Sequence, residues 1–141
     1  MVKHECSQCK KAKQRIVSIL EKNPSYQNIS TDDDNKKPKF PAQKISEFLP
    51  EKDYWPDVYC ERWKSMAPIR EMKIIPVIIE VDHKTHKSDY STVKDNRRDK
   101  HFLSKKIPTV RFGLNRIIGR KAWPDDVVEL MIEKEIEWQL G

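Results

Sequence analysis

The sequence has few cysteines and no long apolar run, and each absence excludes a class of protein. Three cysteines in 141 residues are odd in number and too few for a secreted domain held together by disulfides. No apolar run approaches the roughly 20 residues that a membrane-spanning helix needs. The first residues are basic but lack the continuous apolar segment of a secretory signal. We therefore expect a cytoplasmic protein with no membrane partner.

The chain also lacks internal repeats, which excludes solenoids and propellers. A length of 141 residues fits one compact domain over residues 1–141. The 28 Lys and Arg residues outnumber the 22 Asp and Glu residues, for a formal net charge of +6. An excess of basic residues favours a polyanionic partner, because neutralising phosphates releases their condensed counterions. Nucleic acid is therefore the partner that the composition favours.

The first part of the chain divides into a basic helix and a polar segment. Residues 1–22 are predicted to contain a basic helix that begins near Lys10, because apolar residues recur there at helical spacing. These apolar residues are Ala12, Ile16, Ile19 and Leu20. The helix is expected to end at Asn23-Pro24. Residues 23–52 are polar, interrupted by proline and free of periodicity, which predicts a loop.

Residues 53–141 alternate between strand and helix patterns. The segments DYWPDVYCERW and KIIPVIIEVD predict two strands, and SDYSTVKDNRRDKHFLSKK predicts a charged helix with Phe102 facing inward. IPTVRF predicts a short strand, and PDDVVELMIEKEIEWQL predicts a final helix. Pro76 lies early in the second strand, where a missing amide is tolerated only at an edge or a strand start. This order predicts an α/β fold, a three-layer α/β/α domain with a mixed central sheet.

The second strand ends in acidic and imidazole side chains, within the stretch IIPVIIEVDHKTH. Because residues two apart share a face of a strand, Glu80, Asp82 and Lys84 are predicted to project together. Two carboxylates on one face repel each other unless a cation or hydrogen-bond donors lie between them. If the two strands pair, Asp57 approaches Glu80 and completes an acidic cluster. Such a cluster predicts Mg²⁺ or Mn²⁺ as the cofactor, since both ions prefer oxygen ligands.

An acidic cluster with a divalent cation suits phosphodiester hydrolysis. The cation polarises the phosphoryl oxygens and lowers the pKa of a water molecule. Lys84 and His86 are placed to orient that water or to accept its proton. The alternative is that these acids and histidines are the solvated end of an exposed strand. The local pattern leaves both interpretations open.

Over about residues 53–138 the chain contains three motifs in succession: WPD, then IIEVDHKTH, then DNRRDKHFLSKKIPTVRF. Together they resemble the PD-(D/E)xK restriction-endonuclease-like superfamily. More narrowly, they resemble the branch of very-short-patch-repair endonucleases and the uncharacterised domains grouped with them. The resemblance implies a restriction-endonuclease-like core over residues 53–141. It also implies a Mg-dependent endonuclease that hydrolyses DNA during repair, recombination, restriction or transposition.

The resemblance also implies roles for individual residues. Asp57 and Glu80 correspond to metal ligands, and Asp82 to a third acid. His86 corresponds to a residue that assists at the metal-bound water or supports the ligands around it. Many nucleases of this kind act as dimers, so a homodimer is a further expectation.

The sequence departs from the superfamily pattern at the catalytic lysine. Asp82 stands two positions after Glu80, where the superfamily usually has that lysine. Lys84 takes its role if the strand frame shifts by two residues. His83 and Lys106 each replace a common glycine. These departures keep open an alternative function, that of a nucleic-acid-binding protein that has the fold without the chemistry.

A separate HxCxxC motif near the start of the chain is formed by His4, Cys6 and Cys9. Two thiolates at this spacing can bind Zn²⁺, but a structural zinc site needs four ligands. Cys60, a more distant histidine or a partner chain would have to complete it. The alternatives are reduced thiols at a frayed terminus and, for Cys60, a small buried apolar residue. The motif adds a third candidate function, a zinc-stabilised interaction module.

Two basic strips are predicted to contact DNA phosphates. The strips are formed by Lys94, Arg97 and Lys100 and by Lys11, Lys13 and Arg15. Lysine and arginine side chains at helical spacing neutralise backbone phosphates without reading sequence. The alternative is that each strip is a solvated charged face of its helix.

Overall fold

The computed structural model describes residues 7–33, 56–66, 68, 70–83 and 89–141, with the side chains of residues 89–95 left undescribed. The predictions for His4, Cys6, Lys84 and His86 lie outside the described residues, as does the prediction for the side chain of Lys94. The elements in chain order are α1 (Ser7–Glu21), β1 (Tyr26–Thr31), β2 (Val58–Met66), β3 (Glu71–Asp82), α2 (Asp89–Ser104), β4 (Thr109–Gly113), α3 (Leu114–Ile117) and α4 (Asp125–Leu140).

The four strands form one mixed sheet in the order β1-β2-β3-β4. β1, β2 and β3 pair antiparallel, whereas β3 and β4 pair parallel. Parallel neighbours need a crossover connection, and α2 lies in the segment that joins β3 to β4. The predicted α/β class with a mixed sheet is therefore confirmed.

Side chains from the helices pack on both faces of this sheet. One face carries the larger core, where α1 and α4 meet the strands; α4 contributes Val128, Ile132 and Ile136. The other face carries a smaller cluster of Tyr59, Ile78, Phe102 and Ile107. Phe102 is fully buried, so its predicted inward orientation is confirmed. In the part of the chain that the structure describes, no helix is long and apolar enough to cross a membrane.

Strand β1 lies inside the segment predicted as a loop, so that prediction is wrong for residues 26–31. β1 is bonded on one side to β2, from Tyr26 opposite Arg62 to Thr31 opposite Val58. Only Tyr26 among its residues is buried. A strand with one neighbour needs little apolar surface, so its sequence lacks the alternation that marks a buried strand.

Pro76 lies within β3 without removing a hydrogen bond of the sheet. The Ile78 amide donates to the Pro108 carbonyl at 3.0 Å, on the side of β4. Amides alternate sides along a strand, so the missing amide of Pro76 faces the same side. The first residue of β4, Thr109, is opposite Ile78, so β4 does not reach Pro76. The predicted edge environment of this proline is therefore confirmed for the β4 side of the strand.

Candidate active site

Asp57 and Glu80 lie next to each other, Asp57 just before strand β2 and Glu80 on the adjacent strand β3. Asp57 immediately precedes β2, and the register pairs Val58 with Ile79, one position before Glu80. The Asp57 carboxylate accepts a hydrogen bond from the Val81 amide at 2.9 Å. The pairing of the two strands thus brings together the two acids that the sequence predicted to approach each other.

Glu80 is buried, with a relative exposure of 8%, and its Oε1 has no hydrogen-bond partner among the described residues. Burial raises the pKa of Glu80 to about 8, against the lowering effects of the Arg98 and Arg111 charges and a hydrogen bond from the Asp57 amide. Burial also raises the pKa of Asp57. Without a cation, burial therefore favours the protonated form of the Glu80 carboxyl group.

Asp82 is held by an arginine that sequence reasoning did not assign to the site. Arg111 lies opposite Glu80 in the parallel β3–β4 register, and its Nη1 is 3.1 Å from Asp82 Oδ1. Its Nε and Nη2 also donate to both oxygens of Asp99, each at 2.8 Å. Burial alone would lower the pKa of Arg111, but the hydrogen bonds and charge of Asp99 raise it. This bidentate geometry fixes the guanidinium beside the acidic strand end.

The three predicted carboxylates are not gathered around one point. No three or more His, Cys, Asp or Glu side chains of the described residues are arranged to hold a metal ion. Asp57 faces the Val81 amide, whereas Asp82 faces Arg111. The structure therefore brings Asp57 and Glu80 together, whereas Asp82 forms an ion pair with the guanidinium of Arg111. Metal binding stays a prediction.

A second charged cluster lies close to Asp57. The Lys13 ammonium group is 2.7 Å from Asp32 and 2.8 Å from Asp33, and its side chain is only 5% exposed. The charge of Asp32 raises the pKa of Asp57, and the charge of Lys13 lowers it. Lys13 therefore neutralises buried acids within the chain, and its position does not support the predicted phosphate contact.

Arg15 is also engaged within the chain. Its guanidinium donates to the carbonyls of Ile117 and Trp123, at 2.6 and 2.5 Å, and to the Asp125 carboxylate at 2.8 Å. These contacts fasten α1 to the segment between β4 and α4. The carbonyls and the carboxylate use three of the five N–H donors of this guanidinium, so this position also does not support the predicted contact.

The remaining described members of the basic strips, Lys11, Arg97 and Lys100, are exposed. Lys11 lines a cleft of about 550 Å³ together with Asp82 and His83. The cleft lies at the carboxyl ends of the parallel strands β3 and β4, where open α/β sheets usually bind ligands. Lys11 is thus the member of the N-terminal strip that faces a space open to a substrate.

The two described cysteines differ in their surroundings. Cys9 lies half-buried in α1, and Cys60 lies fully buried in the core. Burial raises the pKa of the Cys60 thiol, which disfavours the thiolate that zinc requires. The interpretation of Cys60 as a small buried apolar residue is therefore confirmed, and its position does not support a role as a zinc ligand.

Comparisons of the chain with models of protein families, with curated proteins and with solved structures found no match. Function is therefore inferred from the chemistry of the site and from the order of the sequence motifs.

Proposed function

We propose that the protein is a metal-dependent endonuclease that hydrolyses DNA phosphodiester bonds, with Asp57 and Glu80 at its centre. The observation that carries the proposal is the buried Glu80 carboxyl group, which lies beside Asp57 with one oxygen unpartnered among the described residues. Burying such a group without a partner is costly. Groups with strongly raised pKa values are concentrated at functional sites, where a ligand or substrate completes the missing contacts.

The residues present fit a hard divalent cation. Mg²⁺ is usually bound through one or two protein carboxylates, with water and substrate phosphates as the other ligands. Asp57 and Glu80 would hold Mg²⁺ or Mn²⁺ in this way. When bound, the ion supplies positive charge to the phosphoryl oxygens and makes water a better nucleophile. This use of two carboxylates is compatible with an Asp82 that faces Arg111.

The other side chains of the site would bind and orient the substrate. The exposed Lys11 adds positive charge to the cleft beside Asp82, where a DNA phosphate would enter. Arg98 and Arg111 act electrostatically on Glu80 and favour its charged form once its proton leaves. By the sequence resemblance, Lys84 or His86 would move the proton of the attacking water. We propose the restriction-endonuclease-like three-layer α/β/α core as the fold, because the described parts of its motifs lie in order just before β2, at the end of β3, on α2 and on β4.

A plasmid-cleavage experiment tests this function. Full-length protein is expected to nick supercoiled plasmid in the presence of Mg²⁺ or Mn²⁺. Asp57→Ala and Glu80→Ala should each lower the rate by about 100-fold or more, since even supporting residues around a metal contribute 10–100-fold. Glu137→Ala, at an exposed position of α4, is the control and should cut at the normal rate. Cutting that survives both active-site substitutions would exclude Asp57 and Glu80 as the centre.

A non-catalytic nucleic-acid-binding protein is the second candidate. It is favoured by Asp82, which replaces the superfamily lysine and forms an ion pair with Arg111. Salt-dependent DNA binding without plasmid nicking by the wild-type chain would assign this function instead. The zinc-stabilised module depends on His4 and Cys6, which lie outside the described residues.

A further inference from the structure

The β2–β3 hairpin extends beyond the other two strands of the sheet. β1 pairs with β2 only as far as Arg62, and β4 first pairs with β3 at Ile78. Residues 63–66 and 71–74 therefore form a two-stranded ribbon, the hairpin arm, which pairs only with itself apart from a hydrogen bond from the Trp63 amide to the Ser25 carbonyl at 2.7 Å. A two-stranded ribbon on its own is marginally stable in water. The packing of the sheet therefore does not account for the side chains that the hairpin arm exposes.

The hairpin arm exposes apolar side chains. Met66, Met72 and Ile74 are 41%, 53% and 48% exposed. Ile74 is opposite Trp63, an aromatic–β-branched pair that stabilises the ribbon. Trp63 is opposite Ile74, and Met72 is two residues from Ile74, so these three side chains lie on one side of the arm, whereas Met66 lies on the other. Scattered exposed apolar residues are ordinary, but a cluster on one projecting element indicates an interaction surface.

The opposite side of the hairpin arm carries Lys64, Lys73, Met66 and Glu71, so its charged residues are two lysines and one glutamate. Lys64 is directly opposite Lys73, and both are exposed. Like charges at directly opposite positions destabilise a pair of strands. A single lysine would suffice to keep an open strand edge from pairing with another chain. The opposed pair outweighs the single charge of Glu71, and with the exposed Arg70 before the second strand of the arm it complements an anion.

We propose that the hairpin arm binds duplex DNA by entering its major groove. The major groove admits a two-stranded β-ribbon, and apolar side chains there contact the thymine methyl group. Lys64 and Lys73, on the face directed away from the bases, lie toward the rim of the groove and neutralise the phosphates there. The choice of DNA as the partner rests on the proposed function. The site is separate, however: Ile74 and Glu80 are six residues apart, or about 20 Å along a strand.

The test uses the full-length protein in EDTA, which prevents cleavage, and a fluorescent duplex of about 20 base pairs, or two helical turns. Anisotropy is measured over a series of salt concentrations. Neutralising two phosphate contacts with Lys64→Gln and Lys73→Gln is expected to lower the slope of log K against log salt by about 1.8, since each contact contributes about 0.9. The matched control, Lys121→Gln with Lys134→Gln, also removes two positive charges from exposed positions. It should leave the slope close to that of the wild type. Equal effects of the two double variants, or the absence of wild-type binding, would overturn the proposal.

A second comparison tests the groove itself. Replacing every thymine of the duplex by uracil removes the methyl groups and should weaken wild-type binding several-fold. Ile74→Thr, which keeps the β-branched shape, should bind both duplexes equally. If the replacement of thymine by uracil weakens binding equally in the wild type and in Ile74→Thr, the arm lies outside the major groove. A dimer that dissociates on Ile74→Thr in the absence of DNA would assign the surface to a second copy of the chain.

These results are independent of catalysis. If the arm variants behave as expected but the wild type cuts no DNA, the arm proposal stands and the proposed nuclease activity fails. If the arm variants cut normally and keep the wild-type salt slope, the arm proposal fails and the nuclease activity stands.

Discussion

Glu80→Gln is expected to stabilise the metal-free protein, and the gain should grow as the pH rises from about 4.5 to about 8. The folded chain raises the pKa of Glu80 from 4.5 to about 8, mainly through burial. Between these values the folded chain retains a proton that the unfolded chain has released. The stability of the wild type therefore falls as the pH rises through this window and levels off above it. Glutamine is neutral at every pH and avoids this loss.

The expected gain above pH 8 is on the order of 5 kcal/mol, because the pKa rises from 4.5 to about 8 and each pKa unit corresponds to about 1.36 kcal/mol. Urea unfolding in EDTA, at a series of pH values on both sides of the window, measures it. Glu137→Gln removes an exposed carboxylate from α4 and should show no comparable pH-dependent gain. A Glu80→Gln difference that does not change with pH would mean that the buried carboxyl group ionises normally.

Lys13→Met is expected to lower the free energy of unfolding by about 3 kcal/mol and the melting temperature by roughly 10 °C. The substitution keeps the aliphatic packing of α1 but leaves Asp32 and Asp33, which are mostly buried, without their cation. Removing one partner of a buried ion pair leaves an uncompensated charge, which costs more than the pair itself contributes. Thermal unfolding followed by circular dichroism measures the change.

Two further variants separate the loss of the ion pairs from the general effect of replacing a lysine by methionine in a helix. Lys10→Met makes the same change at an exposed position of α1 and should be nearly neutral. Adding Asp32→Asn and Asp33→Asn to Lys13→Met should recover part of the lost stability, because the unpaired charges disappear. A Lys13→Met protein as stable as Lys10→Met would show that the cluster does not stabilise the fold.

The positions of Asp57, Glu80 and Asp82 relative to one another could be predicted from the sequence, because they depend on local patterns. The apolar run of β3 marks a buried strand, and strand parity then places Glu80 and Asp82 on one face. Asp57 follows from the pairing of two neighbouring strands. The signal for Lys13 was also present, since positions 13, 16 and 20 share a helical face, but its charge favoured an exposed interpretation.

Other parts of the structure depend on contacts between distant segments of the chain, which local sequence patterns do not predict. Arg111 joins Asp82 and Asp99 only because β4 pairs parallel to β3 with Arg111 opposite Glu80. That register is set by the crossover through α2, which the spacing of residues along the chain does not reveal. β1 was missed for a related reason, because an edge strand needs few apolar residues and its identity depends on its partner β2.

Calorimetric titration of the full-length protein with Mn²⁺ near neutral pH tests the proposed metal site most directly. We expect one Mn²⁺ to bind per chain with release of close to one proton, because metal-free Glu80 has a pKa of about 8. Repeating the titration in buffers of different ionisation enthalpy gives the number of protons released. Glu80→Gln and Asp57→Asn should abolish the binding, and Glu137→Gln should retain it. Absence of saturable binding, or equal binding by Glu80→Gln, would contradict a metal site at Asp57 and Glu80.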